Sequence, residues 1–114
     1  MSSKTAQTMV LYSDLAAVLA EVERSPAVLL YFSGENCSVC EALKPKIAQI
    51  VGERFLHVQQ IEVHLQQLNT ISSHFGVFSI PTILFFREGK EWLREGRNLS
   101  VGRLVADIER IMSY

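Results

Sequence analysis

The 114 residues are 48% apolar and carry eleven Lys and Arg against twelve Asp and Glu, a formal net charge of -1 with both signs interspersed. A chain of this size suits one compact domain, residues 1–114, burying roughly two-thirds of its unfolded surface, and its charge favours neither nucleic acid nor an anionic membrane. Residues 1–8 are small and polar, and Asp14, Glu21 and Glu23 interrupt the apolar stretch after them, so neither a signal peptide nor a membrane span is expected and the expected compartment is cytoplasmic.

Taken in order, residues 1–8 read as a frayed tail and 9–12 as a short edge strand. Ser13 or Asp14 is placed to cap a helix whose apolar positions Leu15, Val18, Leu19 and Val22 recur at three- and four-residue steps. Ser25-Pro26 ends that helix, because proline disfavours helical geometry in the residue ahead of it. Residues 27–32 are then apolar at every position, the pattern of a strand covered on both faces. Ser33-Gly34-Glu35-Asn36 forms the loop that delivers Cys37.

From Cys37 to about Val51 the period is helical, with Val39, Leu43, Ile47, Ile50 and Val51 on one face. Pro45 is expected to kink this helix without breaking it, since the apolar pattern continues through it, and Gly52 is expected to cap it. A strand over 55–63 and a helix over 65–75, stopped by Gly76, follow. The apolar run 80–86 predicts another strand, and Arg87-Glu88-Gly89-Lys90 a tight turn that returns the chain antiparallel through Trp92 and Arg94. Gly96 ends that strand, and Ser100 caps a last amphipathic helix carrying Leu104, Val105, Ile108, Ile111 and Met112. This order predicts the α/β class, a mixed central sheet flanked by helices on both faces.

Cys37-Ser38-Val39-Cys40 holds the only cysteines. Where a buried strand hands over to a helix, the first sulfur meets unpaired backbone N–H groups and the positive end of the helix dipole. Both favour its thiolate and make Cys37 the better nucleophile. In a chain without an export signal, such a pair points to redox or metal chemistry more than to a structural staple. Zinc wants four ligands, and His57, His64 and His74 lack the spacing to complete a site, so neither a metal nor an organic cofactor is expected. The histidines read as surface or boundary residues, Tyr31 as core filling whose hydroxyl needs a partner, and Trp92 as surface packing. Glu88, Lys90, Glu91, Arg94 and Glu95 read as a solvated charged face.

These features together resemble the thioredoxins from about Met9 to the C-terminus. An apolar strand precedes Cys-x-x-Cys, Pro45 lies five residues past the second cysteine, Ile80-Pro81-Thr82 falls about forty residues on, and Gly89 and Gly96 frame the hairpin before the last helix. The resemblance implies a cis peptide bond at Ile80-Pro81, packed against the cysteine pair, and thiol-disulfide exchange: Cys37 attacks a protein disulfide and Cys40 resolves the mixed disulfide. It further implies a substrate groove of Asn36, Ser38, Val39, Phe78, Ser79, Ile80, Thr82 and Gly96, with Ile80 offering its backbone to an extended segment. A thioredoxin reductase is the electron donor it suggests, and a monomer the expected state.

The departures from that family are specific. Asn36 stands where thioredoxins carry a tryptophan, and Ser38-Val39 replaces the usual Gly-Pro. Tyr31 occupies the place of the buried aspartate that helps deprotonate the resolving cysteine, and Glu62 replaces the neighbouring lysine. Glu62, or Glu35 in the loop, is therefore expected to supply the carboxylate near Cys40. The altered dipeptide favours a narrower partner set than a general thioredoxin has. The alternative reading is a non-catalytic binding or chaperone-like module on the same fold.

Overall fold

The structure, a computed structural model, describes residues 9–65 and 69–114. The tail expected at 1–8, and positions 66–68 of the helix expected over 65–75, lie outside the described residues. The elements are β1 (Val10–Leu11), α1 (Leu15–Arg24), β2 (Ala27–Ser33), α2 (Ser38–Arg54), β3 (Val58–His64), α3 (Asn69–Phe75), β4 (Thr82–Arg87), β5 (Lys90–Glu95) and α4 (Val101–Met112). They build one five-stranded sheet in the order β1-β3-β2-β4-β5. β1, β3 and β2 run parallel, while β4 opposes β2 and β5 opposes β4.

The central strand β2 is buried at all seven positions, and its alternation divides the core. Val28, Leu30 and Phe32 pack with Val18 and Val22 of α1 and Ile71 of α3. Leu29 and Tyr31 face the other way, toward Ile47 and Val51 of α2 and Leu104 and Ile108 of α4. A strand with a helical layer on each side must be apolar throughout, which is the pattern of residues 27–32.

Several expected boundaries move: β1 is only Val10–Leu11, β2 takes in Ser33 from the expected loop and β3 runs on to His64. Helix α2 runs past Gly52 to Arg54, and Phe55 caps it with its N–H on the Val51 carbonyl at 2.8 Å. A helical glycine costs about 1 kcal/mol, less than the burial of Ile47 and Val51 on the same face contributes. The longer helix turns 55–57 into a connection, leaves Leu56 exposed and delays β3 to Val58. β4 begins at Thr82 and not at Ile80, since proline has no N–H for the ladder. Pro45 lies within a helix that continues through it. At the hairpin, Glu88 and Gly89 both take positive φ, 51° and 77°, the two left-handed residues that a tight turn between Arg87 and Lys90 requires.

Asp14 is the cap of α1, accepting from the Ala17 N–H at 3.1 Å. Inside that helix, Glu21 is buried and accepts from the Ser25 hydroxyl at 2.6 Å, from the Tyr12 hydroxyl at 3.2 Å and from Arg24. The Ser25 hydrogen bond, with those of Arg24 and Tyr12, outweighs burial and holds the Glu21 carboxyl below its ordinary range. A carboxyl depressed by folding stabilises the fold above its unfolded-state value, about 4.3, and loses that contribution as pH falls through its folded value. Glu21→Gln is therefore expected to lose about 1 kcal/mol at neutral pH in urea unfolding. The deficit should shrink below about pH 4; a gap that stays constant down to acid would show that the charge on Glu21 is irrelevant.

Candidate active site

The pairing of Phe32 with Thr82 sets the end of β2 beside the start of β4. The cis Ile80-Pro81 bond immediately precedes β4, so the loop after β2 and the cis proline meet at one end of the sheet. Asn36 turns that loop with a φ of 56°, a left-handed conformation that asparagine adopts more readily than most residues. Cys37 is then the N-cap of α2. Its sulfur accepts the Cys40 N–H at 3.2 Å, and its carbonyl accepts the Glu41 N–H at 3.1 Å. The two cysteines are joined as a disulfide with Cα atoms 5.3 Å apart. Cys37 is half-buried at the surface, whereas Cys40 is only 2% exposed. An outside sulfur can reach the first and not the second.

Behind Cys40 the packing is polar. Tyr31 donates its hydroxyl to the Cys40 carbonyl at 2.7 Å, the partner its burial requires. Burial, with the nearby charge of Glu62, pushes the Tyr31 phenol up to about 12, so it stays a neutral donor. Glu62 faces Tyr31 across the β2–β3 register and is itself buried. Its carboxylate accepts from the Lys44 ammonium at 2.7 Å and the Ser33 hydroxyl at 2.8 Å, and contacts His64 Nε2 at 3.2 Å. Burial alone would raise its carboxyl. The hydrogen bonds from Lys44 and Ser33, the charge of Lys44 and that of His64 when its imidazole is protonated outweigh burial and hold it below the ordinary carboxylate range. Glu62 and Glu35 both line the cavity of about 270 Å³ that also borders Cys40, Lys44 and His64.

From residues just before and after the cis Ile80-Pro81 pair, Phe78, Ser79 and Thr82 border one shallow groove with Arg94, Glu95 and Gly96. Phe78 is 76% exposed there, and Thr82 donates its hydroxyl to the Ser79 carbonyl at 2.7 Å. Ile80 is half-buried and packs on the α1/α3 side of the core. Asn36 and Ser38 are exposed and Val39 half-buried, flanking Cys37. The charged face of β5 is not wholly free in solvent. The Arg94 guanidinium donates to the Phe75 carbonyl at 2.8 Å and the Gly76 carbonyl at 3.2 Å and pairs with Glu91. Trp92 is exposed and packs on Tyr114, with ring centroids 5.5 Å apart. Among the described residues no three His, Cys, Asp or Glu side chains gather as a metal site, and no helix is long and apolar enough to cross a membrane.

Ser33 and Lys44 are site neighbours outside the expected site residues; His64, expected as a surface or boundary residue, and Arg94, expected on a solvated face, join them. Two of them carried a usable signal. Lys44 lies four residues past Cys40 on the same helical face, and Ser33 pairs with His64 once β2 and β3 are in register.

A half-buried sulfur at the surface that can open a foreign disulfide, backed by a buried sulfur that reaches only the first, defines a thiol-disulfide oxidoreductase. Comparison with known proteins agrees. A thioredoxin family profile matches residues 10–110. The thioredoxin-like protein YdfQ of Bacillus subtilis is 29% identical over 82 residues, 72% of each chain. The thioredoxin of Rickettsia felis is 33% identical over 70 residues, covering 61% of this chain and 67% of that one. Among solved structures, thioredoxin from Trypanosoma brucei brucei superposes with a TM-score of 0.83 at 18% identity, over 96% of this chain and 95% of that one, a likeness of fold. The chain belongs to the thioredoxin family.

Proposed function

We propose that this oxidoreductase reduces disulfides of a restricted set of protein partners, with Cys37 as nucleophile and Cys40 as resolving thiol. The observation that carries the reading is the difference in access: Cys37 caps α2 at the surface while Cys40 is buried beneath it. The Cys37 thiolate attacks the partner disulfide, one partner sulfur leaves as thiolate and a mixed disulfide forms. Cys40 then attacks Cys37, the second partner sulfur leaves, and the pair ends oxidised by the two electrons the partner gained. Pro81 and the groove beside Phe78, Ser79, Ile80 and Thr82 hold the partner segment extended, with Asn36, Ser38, Val39 and Gly96 at its margins. Glu62 is the carboxylate that serves Cys40 in place of an acid at position 31, with Glu35 nearer the surface.

Ser38-Val39 between the cysteines and the bulky, exposed Phe78 support the narrower partner set; insulin reduced as fast as by a general thioredoxin would count against it. A lone redox pair supports a cytoplasmic setting, with a thioredoxin reductase as electron donor. Both sheet faces are covered by the chain's own helices, which supports action as a monomeric single domain.

The test is the reduction potential of the Cys37-Cys40 pair, read by alkylating free thiols across graded thiol buffers. A value near or below about -240 mV fits a cytoplasmic reductase, and one above about -180 mV would overturn that direction of electron flow. Glu62→Gln is expected to alter the pH-rate profile of disulfide reduction. If Glu62→Gln and Glu35→Gln both leave that profile unchanged, neither carboxylate serves Cys40.

A further inference from the structure

The cavity behind Cys40 contains a group that the exchange steps above leave unused. Cys40 must lose a proton before it can attack, and at 2% exposure its thiol has little direct access to water. The cavity it borders is lined by few polar groups. Ser33 and Glu35 come from the end of β2 and its loop, Glu41 and Lys44 from α2, and Glu62 and His64 from β3; the Tyr31 hydroxyl is committed to the Cys40 carbonyl. Lys44 is a cation already paired with Glu62 at 2.7 Å. Glu62, bound by Lys44 and Ser33, is a weak proton acceptor, since general bases work best when their proton affinity lies near the working pH.

His64 fits the task on geometry. It is the last residue of β3, and its ring lines the same cavity as Cys40. Its side chain is 28% exposed, so the imidazole bridges the buried cavity and bulk solvent. Its Nε2 lies 3.2 Å from the Glu62 carboxylate. An ionised carboxylate only accepts, so a neutral His64 donates from Nε2 and carries its lone pair on Nδ1. A carboxylate that fixes an imidazole beside a thiol is the arrangement that activates cysteine nucleophiles, and imidazole is the side-chain type that exchanges protons near neutral pH.

We propose that His64, oriented by Glu62, takes the Cys40 proton across this cavity as the mixed disulfide is resolved. The Cys40 S–H bond breaks and its proton passes to the imidazole. The resulting thiolate attacks Cys37, the Cys37–partner bond breaks with its electron pair on the partner sulfur, and that sulfur takes up a proton. His64 returns its own proton to solvent. Lys44 and Ser33 hold Glu62 in place for this step and are positioning residues. The inference rests on Cys40 being the resolving thiol.

A chromogenic aromatic disulfide separates the steps under rapid mixing. The first coloured thiolate released reports attack by Cys37, and the second reports resolution by Cys40. His64→Gln should slow the second release about tenfold or more and leave the first unchanged. Imidazole added to the buffer should restore part of the second rate in His64→Ala, which a purely structural role would not allow. In the wild-type dithiol form, the His64 ring-nitrogen resonances should follow the ionisation of Cys40. A second release unchanged in His64→Gln, no rescue by imidazole, or ring resonances indifferent to Cys40 each overturns the proposal. If the wild type gives no second release at all, the resolving role of Cys40 fails with it.

Discussion

Cys40→Ser is expected to turn the protein into a trap that accumulates mixed disulfides with its partners, while Cys37→Ser should bring disulfide reduction down to the uncatalysed background. The asymmetry follows from access. Cys37 keeps its place at the head of α2 when Cys40 is replaced, so the first attack still occurs. The chain has only these two cysteines, and a serine hydroxyl cannot displace a partner sulfur, because disulfide exchange proceeds through a thiolate. The covalent intermediate therefore persists until an external thiol releases it. Replacing Cys37 instead leaves a buried Cys40, at 2% exposure, that a folded partner cannot reach. Non-reducing electrophoresis and intact-protein mass measure the trapped species directly. If Cys40→Ser turned over like the wild type, the step assigned to it would belong elsewhere. If both variants bound partners as well as the wild type and the wild type reduced nothing, the non-catalytic module would be the better description.

Most of the frame that positions this pair was legible in the residues because it depends on local patterning. The unbroken apolar run 27–32 reports a strand with a helical layer on each side, and the structure divides its side chains between two core clusters. The Glu88-Gly89 hairpin and the Asp14 and Ser100 caps are likewise set by neighbours in sequence. Boundaries were harder wherever tertiary burial overrode a local preference. Gly52 looks like a stop signal, yet α2 carries it because Val51 and Ile47 are buried on the same face. The surroundings of Cys40 were only half visible. Glu62 stood out by its place against the family pattern, but its partners lie eighteen and twenty-nine residues away in Lys44 and Ser33. Such pairs become readable only when β2 and β3 are in register and α2 is laid across them. His64 lacks metal spacing, but it lies two residues from Glu62, which puts both on one face of β3.

Lys44→Met should reverse the sign with which Glu62 contributes to stability as pH changes. Methionine keeps most of the lysine stem's packing and removes the ammonium. In the wild type the Glu62 carboxyl is held below its ordinary range despite burial. Its contribution is present above the unfolded-state value, about 4.3, and is lost as pH falls through the folded value. Without the Lys44 ammonium, burial becomes the dominant influence on a carboxylate only 7% exposed, and the Ser33 hydroxyl is too weak a partner to offset it. The folded value then rises above the unfolded one, and ionised Glu62 becomes a cost to folding at neutral pH. The expected loss is about 1–3 kcal/mol at pH 7, the range for a buried group deprived of its partner. That deficit should narrow as pH falls toward about 4, where Glu62 takes up a proton and the cost disappears. Urea unfolding of both proteins at several pH values measures it, and adding Glu62→Gln to Lys44→Met should recover most of the loss, since no charge is left stranded. A deficit equally large at acid and neutral pH would mean that Lys44 acts through packing alone, and Glu62 would then owe its ionised state to Ser33 and His64.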